Sequence, residues 1–152
     1  MSMLIEELEV TAVNLSVELE RAVIQHVLGE DEGIYVTEDG LFPFWISINK
    51  GSGFVSFKTH TCFKKSCSHL QKLELCNEIN MKNFMTTAYV KDDRLWLDYV
   101  LIYRDGLLRE TFVRGCRQFA RNVEKGLEQV DPENNFILPP GKIESEDEKG
   151  GV

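Results

Sequence analysis

The sequence contains few of the residues and motifs from which enzyme active sites are built. There are three histidines in 152 residues, and none of them lies in a glycine elbow or beside a recognisable nucleophile motif. Neither the phosphate-binding pattern G-x-x-x-x-G-K-[ST] nor the dinucleotide-binding pattern G-x-G-x-x-G occurs. The carboxylates are scattered and form no convincing acid/base pair. We therefore predict no catalytic residue and no bound cofactor.

Cysteine is also scarce, and its spacing does not favour a metal site. Three of the four cysteines, Cys62, Cys67 and Cys76, lie in a fifteen-residue stretch together with His69. The resulting pattern C-x4-C-x-H-x6-C matches none of the usual paired zinc motifs, and Cys76 falls well inside a predicted helix. We predict no metal ligands and interpret these cysteines as small buried side chains plus a surface thiol.

Positive charge and long apolar runs are both lacking. Lys and Arg number 17 against 25 Asp and Glu, so the net charge is −8, which disfavours binding to phosphate backbones. No apolar run approaches the roughly twenty residues that a membrane helix requires. The opening MSMLIEELEV has no basic segment of the kind that begins a secretory signal. We predict a cytoplasmic protein with reduced thiols that binds neither nucleic acid nor membranes.

What the chain does contain is typical of one globular domain. Apolar residues make up 43% of the sequence and charged residues 28%, which are ordinary values. A chain of this length can bury a sizeable core without disulfides. We predict a single α+β domain over residues 1–131. Pro132 ends the last predicted helix, and residues 132–152 are expected to form an acidic, mobile tail.

Hydrophobic periodicity predicts the element order α-β-β-β-α-β-β-α. The first helix covers SVELERAVIQHVLG, with Ser16 as its cap, Gly29 as its stop and an apolar stripe at Leu15, Leu19, Val23 and Val27. Three strands follow: GIYVTE, which ends at a hairpin signal in Asp39-Gly40, then FPFWISIN and FVSFKTHT, joined by a turn at 50–53. Alternation places Phe44 and Phe57 on one face of their strands and Trp45 and His60 on the opposite, polar face.

The second half of the pattern is helix, two strands and helix. Ser68 and Gln71 form a capping box at the start of the second helix. TTAYVK then turns at Asp92-Asp93 into RLWLDYVLIY. The third helix is predicted to begin near Leu107, with the apolar stripe Leu108, Phe112, Cys116, Phe119, Val123 and Leu127. Strands in consecutive runs joined by tight turns imply an antiparallel sheet packed with helices.

Two asparagines in the second helix occupy unusual positions. Asn77 and Asn80 continue a stripe that begins with Leu70 and Leu73. A buried amide must find partners, so we expect both to bond backbone groups freed where the helix gives way to a strand. Asn83 can close the helix in a left-handed conformation. The alternative function is a small-molecule-binding or enzymatic domain with a pocket near Asn80 and Cys76.

Two surfaces are candidates for protein interaction. Trp96, Val100 and Ile102 alternate with the residues assigned to the core, and an apolar patch of this kind marks an interface unless a helix or the N-terminal segment covers it. Both readings stay open. The spacing of Arg114, Arg117 and Arg121 places them on one face of the third helix, which is either solvated or docks an acidic partner, for example the chain's own ESEDE.

The stretch LCNEINMKNFMTTAYVKDDRLWLDYVLIYRDGLLRETFVRGCRQF resembles the YbjN family of bacterial proteins. Asn77 or Asn80 corresponds to the family's signature asparagine, and Ala88-Tyr89 to its tyrosine-bearing strand. The family is similar in fold to type III secretion chaperones, which are small acidic dimeric proteins. The resemblance implies a non-enzymatic module tied to regulation or chaperoning. The paired cysteines before the second helix and the acidic tail depart from the family.

These observations lead to one main hypothesis. The chain is interpreted as a non-enzymatic protein-interaction module, chaperone-like or regulatory, whose partners are a second copy of itself, in a homodimer, and an unknown protein client.

Overall fold

The computed structural model describes residues 2–142, which contain three α-helices, eight β-strands and one short 3-10 helix. In chain order the elements are β1 (Leu4–Ile5), the 3-10 helix (Glu7–Glu9), α1 (Ala12–Arg21), β2 (His26–Leu28), β3 (Ile34–Val36), β4 (Phe44–Asn49), β5 (Phe54–Cys62), α2 (His69–Lys82), β6 (Thr87–Lys91), β7 (Arg94–Ile102), β8 (Leu107–Leu108) and α3 (Arg109–Val130).

Six strands form one antiparallel sheet in the order β2-β3-β4-β5-β7-β6, and β1 pairs with β8 separately. The predicted α+β class with an antiparallel sheet and helices is confirmed. Compared with the predicted order, the chain has an additional strand, β2, and the two short strands β1 and β8.

Strict alternation in the central strands builds the core. Phe44 and Ile46 in β4, Phe57 in β5, and Leu95 and Leu97 in β7 are buried on one side of the sheet. The other side carries polar and aromatic side chains. The rings of Phe44 and Phe57 meet Phe119 of α3 at centroid distances of 5.2 and 5.8 Å, so α3 packs directly on the buried side.

The first helix differs from its prediction at both ends. Thr11, not Ser16, caps α1 by accepting a hydrogen bond from the amide of Asn14. The helix ends at Arg21 because Val23 adopts the left-handed conformation with φ 58°. The Ile24 amide then bonds the Leu19 carbonyl and the Val23 amide bonds the Glu20 carbonyl, which is a Schellman closure.

The predicted stripe of the first helix is therefore only half correct. Leu15 and Leu19 are fully buried, but Val23 and Val27 are 83% and 58% exposed. Residues after Val23 turn back and pair with Ile34–Val36 as strand β2. A four-residue spacing that crosses a helix end no longer marks one face.

Several local predictions in the second half are confirmed. Ser68 and Gln71 form both bonds of the capping box. Asp92 and Asp93 have φ of 51° and 58° and join Lys91 to its partner Arg94, as in a two-residue type I′ hairpin. By contrast, Asp39-Gly40 lies within the longer connection 37–43 between Val36 and its partner Phe44, so it is not a two-residue hairpin.

The third helix begins two residues later than predicted. Leu107 and Leu108 pair with Ile5 and Leu4, so they belong to a strand, and Leu108 is exposed. The remaining core stripe of α3 is correct, since its members Phe112, Cys116, Phe119 and Val123 are fully buried and Leu127 packs beside them.

The chain stays on the body of the domain after α3 ends. Ile137 is buried and bridges Phe63, and the Leu138 amide bonds the Cys62 carbonyl at 2.8 Å. The described chain therefore remains packed as far as Leu138, although the predicted tail begins at residue 132. The ESEDE sequence at 144–148 lies outside the described residues.

Candidate protein-interaction surfaces

The open face of the sheet is the side opposite α3. The strand register aligns Val27, Tyr35, Trp45, Lys58 and Asp98 in one row across five strands. A second row contains His60, Trp96 and Tyr89. We call these residues, together with Val100 and Ile102 at the far end of β7, the open face.

Four aromatic rings on the open face stack against one another. Tyr35 and Trp45 lie 4.8 Å apart between centroids, Trp45 and His60 lie 5.4 Å apart and nearly parallel, and His60 and Trp96 lie 4.6 Å apart. The Trp96 indole N–H also donates to the Lys91 carbonyl at 3.2 Å. Since Trp45 and His60 are nearly parallel and the other two pairs are tilted, neighbouring rings cover part of each aromatic side chain in the row.

His60 lies in the middle of this aromatic row. Burial, and to a smaller extent the charge of Arg94, lowers the pKa of His60 below its ordinary value. Its Nδ1 atom is buried and has no hydrogen-bond partner among residues 2–142. The imidazole therefore acts as a neutral stacking ring between two tryptophans.

Asp98 is the carboxylate on the open face. It lies opposite Lys58 on β5 and Thr87 on β6, and it is hydrogen-bonded to Tyr89, two residues further along β6. Burial, the charge of Asp98 and a hydrogen bond to Asp98 raise the pKa of Tyr89 to about 12, so the phenol stays protonated and donates to the carboxylate. Asp98 thus keeps a hydrogen-bond partner on a half-exposed surface.

The apolar end of the open face is uncovered. Trp45, Val100 and Ile102 are 40%, 46% and 72% exposed, so no helix within the described residues lies over them. The N-terminal segment does not cover them either, because β1 pairs with β8. Of the two readings left open by the sequence, the structure favours the exposed patch.

The three arginines line a different surface. Arg114, Arg117 and Arg121 border a depression of about 530 Å³ whose floor includes Tyr99 and Leu101. Arg114 forms an ion pair with Glu110 one turn away. Arg117 donates to the Ala22 carbonyl at 3.0 Å and so closes the carboxyl end of α1. Since α3 packs on the buried side of the sheet, the structure does not bring these arginines to the open face.

The asparagines occupy positions that differ from the prediction. The core stripe of α2 consists of Leu75, Cys76 and Ile79, so Leu70, Leu73, Asn77 and Asn80 are exposed. Asn80 nevertheless bonds backbone groups: it donates to the Ala88 carbonyl at 3.0 Å and accepts from the Ala88 amide at 2.7 Å. The side-chain amide of Asn77 contacts the sulfur of Met81.

Asn83 performs a role that the sequence did not show. Its backbone is extended and not left-handed, at φ −125°. Its side chain donates to the Asn122 carbonyl of α3 at 2.9 Å and accepts from the amides of Met85 and Thr86. Asn83 therefore fixes the exit from α2 through its side chain.

The alternative pocket near Asn80 and Cys76 finds little chemical support. Burial raises the pKa of the Cys76 thiol to about 11, so it stays protonated. Both polar groups of the Asn80 amide are already bonded to Ala88. Burial also raises the pKa values of Cys67 and Cys116. Residues 2–142 contain no group of three His, Cys, Asp or Glu that could hold a metal ion.

Sequence reasoning missed two features of these surfaces. His60 was placed on the polar side of β5, but its stacking between Trp45 and Trp96 depends on the pairing of β4, β5 and β7. Strand β2 was assigned to a helix. The alternation of Trp45 and Trp96 with core residues was the available signal for the aromatic row.

None of the helices within residues 2–142 has the length and hydropathy needed to span a membrane.

Comparisons with known proteins place these features in a family. The YbjN family model, described as a "putative bacterial sensory transduction regulator", matches residues 11–132. One similar solved structure is that of YbjN, "a putative transcription regulator from E. coli", with a TM-score of 0.70 and 17% identity, covering 84% of this chain and 95% of that chain.

A second similar structure is a chain of the HopA1-SchA chaperone-effector complex. Its TM-score is 0.51 at 13% identity, over 78% of this chain and 88% of that chain. No match is found among curated proteins. The two structural likenesses show a shared fold, and the family match covers most of the 152 residues. The chain belongs to the YbjN family.

Proposed function

We propose that this chain is a non-enzymatic protein-interaction module that acts in the cytoplasm as a homodimer and binds a protein client. One observation carries the proposal: the open face is uncovered by the described helices and combines stacked aromatic rings with exposed Val100 and Ile102. Apolar side chains around polar groups, here Asp98 and Lys58 at opposite positions of neighbouring strands, are the composition of a protein interface.

The comparisons support a binding function without identifying the client. Membership of a family described as sensory regulators fits a protein that acts through other proteins. A fold shared with a chain of a chaperone–effector complex fits a surface that holds a polypeptide. The unreactive state of the buried thiols and the engaged Asn80 amide argue against a catalytic or small-molecule site near α2.

In the homodimer, we place the apolar end of the open face at the interface. Val100 and Ile102 lie on β7 next to Phe54 on β5, so the three side chains can form a continuous apolar patch. Asp98 and Lys58 lie beside this patch on neighbouring strands, and a two-fold axis would bring the carboxylate of one copy to the ammonium group of the other.

Light scattering of purified protein tests the dimer. Wild type should have twice the monomer mass, and Val100→Asp should be a folded monomer because an unpaired carboxylate in an apolar interface is costly. Val13→Asp is the matched control, because it makes the same substitution at an exposed position of α1, on the side of the sheet opposite the open face; it should remain dimeric.

The client is tested separately. Crosslinking in cells through a photoreactive group at Ile102 should capture a protein other than a second copy of this chain, and Val100→Asp should abolish that crosslink while the chain stays folded by circular dichroism. A wild-type monomer would contradict the homodimer. A Val100→Asp protein that keeps both its mass and its crosslinked partner would show that the open face is not the interface.

A further inference from the structure

The two edge strands of the six-stranded sheet differ in whether their outward backbone groups already have hydrogen-bond partners. At the edge strand β6, side chains occupy the outward backbone groups of Ala88 and of a residue just before the strand: Asn80 bonds both the amide and the carbonyl of Ala88, and Asn83 accepts from the Thr86 amide. An asparagine amide has the same donor and acceptor as a peptide bond, so it occupies the position of a further strand. This edge cannot accept another chain at Ala88.

The opposite edge, β2, is open. Backbone bonds join Gln25 to Thr37 and Gly29 to Gly33, so the odd-numbered residues of β2 bond to β3. His26 and Leu28 therefore direct their N–H and C=O groups away from the sheet. Within residues 2–142, β3 is the strand paired with β2, and no other hydrogen bond to these four groups is present.

The side chain of His26 keeps this open edge in place. Its Nε2 lies 2.6 Å from the Ser16 hydroxyl of α1, and its Nδ1 lies 2.8 Å from the Ile24 carbonyl. Strand β2 is thus attached to the helix layer through a side chain while its outward backbone groups stay available. An edge that is held in strand geometry loses little conformational entropy when it receives a partner.

Apolar side chains flank the open edge on both faces of the sheet. Val27 is on the open-face side, in the row of Tyr35 and Trp45. Leu28 is on the other side, and with Val13 of α1 it borders a depression of about 330 Å³. All three of the aliphatic side chains named here, Val13, Val27 and Leu28, are exposed. An added strand would cover apolar surface on both sides.

Carboxylates lie at both ends of β2. The connection to β3 contains Glu30, Asp31 and Glu32, and these side chains are exposed. At the other end, the Glu38 carboxylate accepts from the Gln25 amide, and Asp39 lies next to it. Lys50 is the cation that lines the depression beside Asp31 and Glu32. The edge is therefore an apolar centre between two acidic ends.

We infer that β2 receives an extended segment of a protein partner as an added strand, and that this segment has an apolar centre with lysine or arginine at both ends. The free backbone N–H and C=O groups of His26 and Leu28 would form the hydrogen bonds to the added strand. The acidic ends of β2 would favour a segment with basic residues at its ends. A second copy of β2 fits poorly, because an edge-to-edge pair would bring the acidic ends of the two copies together. This inference goes beyond the proposed function, since it uses the backbone edge of β2 and not the patch of Val100 and Ile102 at the apolar end of the open face.

A synthetic peptide tests the inference on the full-length chain. The probe is fluorescein-labelled Lys-Arg-Val-Thr-Val-Thr-Val-Lys-Arg, followed by fluorescence anisotropy. It should bind at least about tenfold more tightly than the same peptide with Glu and Asp at its ends, and more weakly at high salt. A version methylated on alternate backbone amides, which cannot complete the ladder, should also lose about tenfold.

The site of binding is read from amide hydrogen exchange. The amides of His26 and Leu28 should become protected when the basic peptide binds, and the amide of Ala88 on the closed edge should not change. Peptide binding without protection at His26 and Leu28 would overturn the inference, as would equal affinity for the basic and the acidic peptide.

Two variants of β2 distinguish peptide binding at the sheet edge from dimerisation through Val100 and Ile102. Leu28→Pro removes one outward N–H without removing a bond to β3, and Val27→Lys places a cation on the edge; both should weaken peptide binding about tenfold. Thr87→Lys on the opposite edge strand is the charge control and should bind normally. If Leu28→Pro does not fold, the peptide affinity of Val27→Lys tests the inference instead. Val100→Asp should leave peptide binding unchanged, so failure of the proposed dimer and failure of this edge give different results.

Discussion

The side chain of Asn80 forms a two-bond bridge to the backbone of Ala88, eight residues later in the chain. The amide nitrogen donates to the Ala88 carbonyl at 3.0 Å and the side-chain oxygen accepts from the Ala88 amide at 2.7 Å. The bridge attaches α2 to the edge strand β6. It also occupies the backbone groups through which another chain could pair with that strand.

Replacing Asn80 should destabilise the fold even by a residue with higher helix propensity. Asn80→Leu should lower the free energy of unfolding by about 1–2 kcal/mol, because two backbone groups lose their partner and regain only water. Urea denaturation measures the change. Asn77→Leu is the matched control on the same helix and should change stability by less than about 0.5 kcal/mol. Equal effects of the two substitutions would contradict a role for the bridge.

In contrast to Asn80, Val23 is a residue whose replacement should stabilise the folded state. A β-branched side chain in the left-handed conformation is strained, and Val23 is too exposed to gain much from packing. Val23→Asn should raise the free energy of unfolding by about 0.5–1 kcal/mol, because asparagine tolerates this conformation at a helix end. Val13→Asn, at an exposed helical position of α1, should instead leave the stability nearly unchanged, because valine and asparagine have similar helix propensities. A loss of stability in Val23→Asn, measured by thermal unfolding, would show that α1 ends differently.

Asp131 holds the segment that follows α3. Its buried carboxylate accepts hydrogen bonds from the amides of Asn135, Phe136 and Ile137. Asp131→Ala should cost about 2–3 kcal/mol of unfolding free energy, because these amides lose a charged acceptor and Ile137 loses its position against Phe63. Limited proteolysis should then cut between residues 132 and 138. Glu133→Ala, at an exposed neighbouring position, should be resistant and as stable as wild type.

The lowered pKa of His60 predicts a pH-dependent stability. Because the unfolded chain binds a proton more readily than the folded one, this contribution to stability is complete above the unfolded pKa near 6.5. It decreases as the pH falls below 6.5 towards the folded pKa. Urea denaturation at pH 7.5 and 5.5 should show a larger loss in wild type than in His60→Phe, which keeps a stacking ring. An NMR titration of the His60 ring with a midpoint at or above 6.5 would refute this prediction.

The central part of the fold could be predicted from local sequence. The alternation in β4, β5 and β7 assigns Phe44, Phe57 and Leu97 to the core, and burial confirms each one. The capping box at Ser68 and the turn at Asp92-Asp93 each depend on residues within three positions of each other, so the residues that form them could be identified within a short window. The same alternation placed Trp96 opposite the core.

The errors arose where a distant contact decides a local choice. Residues His26–Leu28 continue a helical spacing, but they become a strand because Ile34–Val36 offers a complete ladder of backbone bonds. The spacing of the three arginines places them on one helix face, yet Arg117 donates a hydrogen bond to the Ala22 carbonyl at the end of α1. Asn80 lies outside the core stripe of α2, and its role depends on where β6 begins.

The sequence by itself determined the α+β class, the faces of the central strands and the absence of any recognised catalytic motif, because these follow from periodicity and residue chemistry within short windows. Only the tertiary structure decided which surfaces are free. Three features depend on which strands become neighbours. They are the stacking of His60 between Trp45 and Trp96, the hydrogen bonds from Asn80 to the outward backbone groups of Ala88, and the free outward backbone groups of β2. Strand neighbours are set by contacts between residues far apart in the chain, and short-range patterns do not specify them.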